Sequence, residues 1–467
     1  MVELTQDAAV ERALAGALDP DHVVVVGASN RPSNAGLAFV RALRAAHFPG
    51  RLSVVNRNSD TVLDAAGYQE LAALPSVADL AIIALPSDRV SGAVEEAARC
   101  GVKAVHVFSG DFAERGVPDR AARQQQLARI ADAAGMAMIG PNCMGIYRPA
   151  AGLAFRADQP MLAGNVSLVS QSGGVAIAAV HQLAARGIGV STVVSFGNAA
   201  QLGAGRISEA ISVHGEADLV GVYVESANEP DLLDRLARIA KSQRVVLFVG
   251  PTSPAGVAAS ARHTGAPGGV WPGADEIPSG VTLVSSLEAF VGAMTWFASD
   301  PCPGPAPAVA FVTISGGIGV LAASELERNG VRLAQLSDET RAEIEDLLPG
   351  GLIVARNPVD LGVSYLSRKV IARTLAALRT DPNVELTLFH LIWDHLVDVD
   401  RQSPGYAEGF LRLLIDHACQ RDDLAVFFPR MVDDENENSV RRRLRQAGIR
   451  VLESIHEVAD ALKGPIN

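Results

Sequence analysis

Short apolar runs rich in valine, isoleucine and leucine recur at Val23–Val26, Leu52–Val55, Leu80–Ala84, Ala104–Phe108 and Met136–Ile139, with alanine-rich segments of helical length between them. A strand that is apolar throughout is covered on both faces. Continuous runs separated by helices therefore predict a parallel sheet between two helical layers. The pattern breaks over Tyr147–Gly164, a loop-like stretch containing Pro149 and Pro160, and restarts with Val166–Val169, Val190–Val194, Leu219–Val224 and Val245–Val249. A second break, Asp300-Pro301-Cys302-Pro303-Gly304-Pro305, cannot be helix interior, because proline fixes φ and lacks a donor. The last third repeats the scheme with Ala308–Ile314, Leu386–Phe389, Ala425–Phe428 and Val451–Leu452. We read three doubly wound α/β domains, at residues 1–150, 160–300 and 305–467, alike in architecture but without a fixed-period repeat.

The 467 residues allow this division, at roughly 150 residues per domain. A net charge of −12 argues against a nucleic-acid partner, which is gripped by clustered lysine and arginine. The nearest basic cluster, Arg441-Arg442-Arg443 with Arg445, reads as the solvated face of a helix. Cys100, Cys143, Cys302 and Cys419 have neither metal-ligand spacing nor the density of a disulfide scaffold, so no metal site is expected and a reducing cytoplasm is. Met1 to Leu18 carries Glu3, Asp7 and Glu11 and does not read as a signal peptide. No run reaches the ~18 apolar residues of a membrane span.

The segment Gly27-Ala28-Ser29-Asn30-Arg31-Pro32-Ser33-Asn34-Ala35-Gly36 follows the first strand and opens a helix, where backbone amides and the helix dipole favour an anion. Its spacing lacks the second glycine of the dinucleotide fingerprint. At the end of the second strand an NAD site needs a carboxylate for the ribose, and here stand Asn56-Arg57-Asn58. One cation and no acid suit a ligand with an extra phosphate, such as the 3′-phosphate of CoA or the 2′-phosphate of NADP. A structural turn without a ligand is the alternative.

A predicted helix, Ala255–Ala261, runs into Arg262-His263-Thr264-Gly265-Ala266, with Gly265 as its stop signal. Taken alone, His263 reads as structural, or as favourably placed against the dipole. Two other segments change this. Ser170-Gln171-Ser172-Gly173-Gly174 and Ser315-Gly316-Gly317-Ile318-Gly319 each follow a strand and start a helix, offering hydroxyls and free amides to a phosphate. If both converged on His263, each would contribute on the order of 1 kcal/mol to a phosphoryl group on the ring. A ring nitrogen that attacks phosphorus must be held in one tautomer, usually by a carboxylate. Glu225, after Leu219–Val224, is the candidate, and a solvent-facing strand-end acid is the alternative.

Gly27-Ala28-Ser29 with Pro32 and Gly36, Ile139-Gly140-Pro141-Asn142-Cys143-Met144-Gly145, Ser170-Gln171-Ser172-Gly173, Ser195-Phe196-Gly197-Asn198, His263-Thr264-Gly265-Ala266 and Asn357-Pro358-Val359-Asp360-Leu361 occur in the order seen in NDP-forming acyl-CoA synthetases, relatives of succinyl-CoA synthetase. The resemblance extends from about Asp21 to the C-terminus. It implies an α/β fold with an N-terminal Rossmann-like CoA-binding domain followed by two flavodoxin-like doubly wound domains. It implies a phosphorylated His263 supported by Glu225, with Ser170, Ser172, Gly173, Ser315, Gly316 and Gly317 at paired phosphate-binding helices. Coenzyme A, as substrate, would meet Gly27, Ala28, Ser29, Asn30, Arg31, Asn56, Arg57, Pro86 and Asn142. A small carboxylic acid or acyl phosphate would occupy a pocket between the first two domains, near Asn142–Met144 and Ser195–Asn198. ATP or GTP, with Mg, is expected on a separate ATP-grasp β-type subunit, since the three domains use the whole chain.

This sequence departs from the pattern where relatives often carry lysine before the histidine segment and Val249-Gly250-Pro251 stands here. It departs again at Pro267-Gly268-Gly269-Val270, where Leu-Ala-Gly-Ser is common, and at Asn56-Arg57, where Asn-Pro is usual. Two rivals share the fold: an ATP-independent acyl or carbamoyl transferase, and a non-catalytic CoA-binding protein. A binder has no need of His263, Glu225 and both helix starts. A serine hydrolase is disfavoured because Ser172 lacks the glycine two residues before it that a nucleophile elbow requires. Cys143, with no histidine close in sequence, reads as a packed cysteine.

Overall fold

The computed structural model of the chain describes residues 6–57, 61–214, 217–225, 229–250, 253–264, 276–299, 307–348, 355–430 and 435–462. They form two compact units, Met1–Leu287 and Glu288–Asn467.

The first unit holds two sheets. One contains β1 (His22–Val26), β2 (Arg51–Val55), β3 (Thr61–Val62), β4 (Ala65–Tyr68), β5 (Leu80–Ile83), β6 (Ala104–Val107) and β7 (Ala137–Ile139), in the order β3-β4-β2-β1-β5-β6-β7. Apart from the β3/β4 pair it is parallel. The side-chain alternation of β1 explains why a solid valine run was needed. Val23 and Val25 enter one core with Leu37 and Val40, while Val24 and Val26 enter another with Val90 and Val94. Each fully buried valine contributes roughly 1.5–3 kcal/mol, so both helical layers are held by the same strand.

The second sheet contains β8 (Gly145–Tyr147), β9 (Ala163–Ser170), β10 (Val190–Ser195), β11 (Leu219–Val224), β12 (Arg244–Val249) and β13 (Val281–Val284), in the order β13-β12-β11-β9-β10-β8. Strand β8, three residues long and antiparallel to β10, is an element that hydrophobic patterning misses. It carries the chain directly from the edge of one sheet to the edge of the next.

In the second unit β14 (Val309–Thr313), β15 (Val359–Asp360), β16 (Leu386–His390), β17 (Leu424–Phe427) and β18 (Arg450–Leu452) make a parallel sheet ordered β15-β14-β16-β17-β18. The proline-rich break at 300–306 lies outside the described residues. One sequence expectation fails here: Arg441 is not part of a solvated face. It is 1% exposed, its guanidinium lying 2.8 Å from Glu437 and 4.1 Å over the ring of Phe428. An i, i+4 carboxylate and an aromatic face replace water around the charge. Arg442 and Arg443, on the opposite face, pair with Glu435 and Glu408 and are exposed as expected.

The three sheets share one device. From β1 the chain goes to β2 on one side and returns through β5 on the other; β9, β10 and β11, and β14, β15 and β16, repeat this. At each reversal the connections leave in opposite directions and open a crevice beyond the carboxyl ends of the strands, where α/β sheets bind ligands. Among the described residues no helix is long and apolar enough to cross a membrane.

Candidate functional site

At the first reversal Gly27 has φ +95°, and a Cβ there would lie 2.6 Å from the carbonyl oxygen of Ala84, so only glycine makes this turn. The loop is pinned by Asn34, which sequence reasoning passed over. Its Oδ1 accepts from the amides of Leu37 and Ser29 at 2.8 and 3.0 Å, and its Nδ2 donates to the carbonyl of Gly27 at 3.0 Å. An asparagine immediately before a helix is the signal that would have found it. Asn56 Nδ2 donates to the carbonyl of Ala28 at 2.5 Å, tying β2 to the same loop. Asn30 joins the loop to β3, donating to Thr61 and accepting from Leu63, both at 3.1 Å. Arg31 and Arg57 are exposed, and Pro86 leads into the helix Ser87–Arg99 beyond β5. Asn58 lies outside the described residues.

The second reversal is built around Ser170, Ser172 and Gly173, at the start of the helix Gly173–Ala185. Ser172 caps that helix, accepting from the amide of Val175 at 3.4 Å, and Ser170 Oγ donates to the carbonyl of Ser172 at 2.7 Å. Gly173 is packed so closely on Met144 that a Cβ would come 2.5 Å from its Cγ. A cavity of about 310 Å³ opens here, between this helix start and the segment that leaves β7. Asn142, Cys143, Met144, Gly197 and Asn198 line it with Gln171 and Ser172, joined by Phe108 and Gly110. Asn142, expected by resemblance both to meet CoA and to border the acid pocket, lines this second crevice.

The polar wall is held from behind. Asn142 Nδ2 donates to Asn198 Oδ1 at 3.3 Å, while Asn198 Nδ2 donates to Glu114 at 2.6 Å and to Gln124 at 2.9 Å. Sequence reasoning missed Glu114 and Gln124, which come from a different part of the chain. Sequence reasoning also missed His106, 1% exposed, whose Nε2 is 3.1 Å from the carbonyl of Cys143. A carbonyl only accepts, so Nε2 carries the proton. Burial lowers the His106 pKa to about 4 and keeps the ring neutral. Cys143 is buried with its Sγ 3.5 Å from the carbonyl of Val107, and burial pushes its thiol pKa far up, as suits a packed rather than a nucleophilic cysteine.

Glu225 follows β11 on the other side of the reversal, and at 8% exposure it is not a solvent-facing acid. Its amide donates to Gln171 Oε1 at 2.7 Å, and Tyr223 donates to its carboxylate at 3.3 Å. Burial and this carboxylate push the Tyr223 pKa up, so the phenol stays a donor. Ser260, on the helix Pro254–Thr264, donates to the carbonyl of Glu225 at 2.6 Å. Position 263 is three residues further along that helix; the histidine side chain, and Gly265 with the segment to 275, lie outside the description.

In the second unit Ser315 caps the helix Gly316–Arg328, accepting from the amide of Ile318 at 3.4 Å. Its own amide donates to Thr313 Oγ1, which lies 2.9 Å from His390 Nδ1. Burial lowers the His390 pKa to about 4. A Cβ on Gly316 would be 2.8 Å from a carboxylate oxygen of Asp360, so Asp360 borders this helix start.

The CoA binding domain family matches residues 21–149, and the succinyl-CoA ligase like flavodoxin domain matches residues 163–297. The chain is 28% identical to the acetate–CoA ligase [ADP-forming] II subunit alpha of Pyrococcus furiosus over 95% of each chain. It is 30% identical to the acetate–CoA ligase [ADP-forming] I subunit alpha of the same organism, over 73% of this chain and 75% of the relative. Against the acetate–CoA ligase [ADP-forming] I of Archaeoglobus fulgidus the identity is 31% over 79% of this chain, which spans 53% of that relative's length. The fold matches that of the dinucleotide forming acetyl-coenzyme A synthetase 1 of Ca. Korarchaeum cryptofilum, with TM-score 0.80 over 97% of this chain and 96% of the other, at 23% identity. With its CoA-binding and flavodoxin-like domains and relatives that are α subunits of ADP-forming ligases, the chain belongs to the ADP-forming acyl-CoA synthetase family.

Proposed function

We propose that this chain is the CoA- and acid-handling subunit of an acid–CoA ligase that works through a phosphorylated His263 and an acyl phosphate. The observation that carries this reading is the second crevice. A capped helix start, Ser170–Gly173, borders a cavity of about 310 Å³ and is tied through Gln171 to the buried Glu225, which is in turn bonded to the helix bearing His263. Amides at the helix start would take the phosphoryl oxygens, since their donors and the dipole both favour an anion. Glu225 would hold the imidazole in one tautomer and support positive charge on it as phosphorus departs. The phosphoryl group then moves to the carboxylate of the acid, and the thiol of CoA displaces phosphate from the acyl carbon. CoA would enter at the first reversal, with Gly27, Ala28 and Ser29 close to its phosphates, Asn30, Asn56 and Pro86 shaping the crevice, and Arg31 and Arg57 offering charge. Ser315, Gly316 and Gly317 form a seat of the same build for the phosphoryl group as it is loaded. ATP or GTP, with Mg, belongs to an ATP-grasp β-type partner in this reading.

The test is synthesis of acyl-CoA from acid, CoA and ATP. The chain alone is expected to turn over no ATP, and addition of an ATP-grasp chain to release nucleoside diphosphate and phosphate in equal amounts. Unaided use of ATP would contradict the division of labour. Reaction of acyl phosphate with CoA, without phosphorylation of His263, would favour the ATP-independent transferase.

A further inference from the structure

Two of the contacts that hold Glu225 act on its main chain. Gln171 Oε1 accepts from its amide at 2.7 Å, and Ser260 Oγ donates to its carbonyl at 2.6 Å. The contact with Tyr223 is of another kind, because it acts on the carboxylate: the phenolic oxygen lies 3.3 Å from Oε1. Tyr223 and Glu225 are two residues apart at the end of β11, so both side chains leave the same face of the strand. Each is 8% exposed, and little water competes for the hydrogen bond between them. The phenol is itself held in place. Its ring packs on Phe248 with centroids 4.7 Å apart, and Gly250 closes on its hydroxyl so tightly that a Cβ there would lie 2.5 Å from Oη. Burial and the carboxylate keep the proton on the phenol, so Tyr223 donates and brings no charge of its own.

Position 263 stands one turn beyond Ser260 on the same face of the helix Pro254–Thr264. Ser260 therefore sets how far the helix lies from the strand end, but not how the carboxylate is turned. The terminal torsion of a glutamate is soft, and a carboxylate free to turn presents either oxygen, or neither, to a ring beside it. Committing one oxygen to a fixed donor removes that freedom. We propose that Tyr223 is a positioning residue acting through Glu225: its hydroxyl holds one carboxylate oxygen, so that the other meets the His263 ring in a single orientation. This rests on the ligase reading above, in which Glu225 supports that ring.

Tyr223→Phe removes the hydroxyl and keeps the packing on Phe248; circular dichroism checks its folding. Single-turnover phosphorylation of His263 from acyl-CoA and inorganic phosphate is expected to slow about tenfold, with the half-saturating concentrations of both unchanged. In a Glu225→Gln background the same change should cost at most about twofold, since the charge to be oriented has gone. Equal losses in the two backgrounds, or a rate that Tyr223→Phe leaves unchanged, would overturn the proposal. NMR of chain isotope-labelled at the phenolic carbon of tyrosine tests the contact without phosphoryl transfer. The Tyr223 signal, assigned by its loss in Tyr223→Phe, is expected to move in Glu225→Gln while the other tyrosine signals stay; a Tyr223 signal that does not move would also overturn the proposal. Wild-type chain that takes no label from any acyl-CoA would sink the ligase reading, and the tyrosine signal alone would then decide whether Tyr223 holds the carboxylate.

Discussion

Replacement of His263 by asparagine is expected to lower acyl-CoA synthesis by at least about 10⁴-fold, with binding of CoA unchanged. Asparagine keeps a polar group near the helix end but supplies no nucleophilic nitrogen, so a covalent relay has nowhere to rest. The size follows from the role: losing a nucleophile removes a whole step, whereas losing its support only weakens one. Glu225→Gln is therefore expected to fall between wild type and His263→Asn, losing about 10²-fold, because glutamine preserves the shape of the buried corner and removes only the charge. Steady-state rates with saturating acid and CoA, in the presence of the ATP-grasp partner, check the order of the three proteins. Equal losses in the two variants would mean that Glu225 holds the fold of the crevice rather than the ring.

Stability is expected to fall by about 3 kcal/mol through His106 as the pH drops from above 6.5 to near 4. In the unfolded chain this ring takes up its proton near pH 6.5, whereas in the folded chain burial delays uptake to about pH 4. Between these values the unfolded state binds the extra proton, so the stabilisation is complete above pH 6.5 and is lost as the pH falls through the folded pKa. The ring also holds the cavity wall: it donates to the carbonyl of Cys143, and a Cβ on Gly145, at φ +82°, would lie 2.4 Å from its Nδ1. Denaturant unfolding at pH 7.5 and 4.5 tests this. His106→Phe should be less stable than wild type at the higher pH, having lost that hydrogen bond, yet show a pH dependence smaller by about 2–3 kcal/mol. An unchanged slope would place the acid sensitivity elsewhere, and the buried His390 is the next group to replace.

Most of the parallel strands were legible because burial on both faces demands uninterrupted apolar runs, and their bounds follow the valine and leucine clusters to within a few residues; the parallel strands β4, β13 and β15, short and on the outer side of their sheets, were not among the predicted runs. Strand β8 was not, since three residues beginning with glycine carry no period. The two capped helix starts were legible from serine followed by glycine after a strand. Burial of Glu225 was not, because an acid after a strand looks the same whether it faces water or, as here, Tyr223 and Ser260. The wall behind the cavity was illegible for a different reason: Asn198 meets Glu114 across 84 residues of sequence, and such pairings follow from the docking of two sheets. Arg441 shows the converse error. A run of charge reads as solvated until the fold supplies a carboxylate and an aromatic ring in place of water.

The most direct measurement of the central claim is mass spectrometry of the intact chain after incubation with isovaleryl-CoA, acetyl-CoA or succinyl-CoA and inorganic phosphate, beside His263→Asn. One acid-labile phosphate on the wild-type chain, mapped to His263 and absent from the variant, is the predicted result. A chain that stays unlabelled with every acyl-CoA, or a label that persists without His263, would contradict the phosphohistidine mechanism.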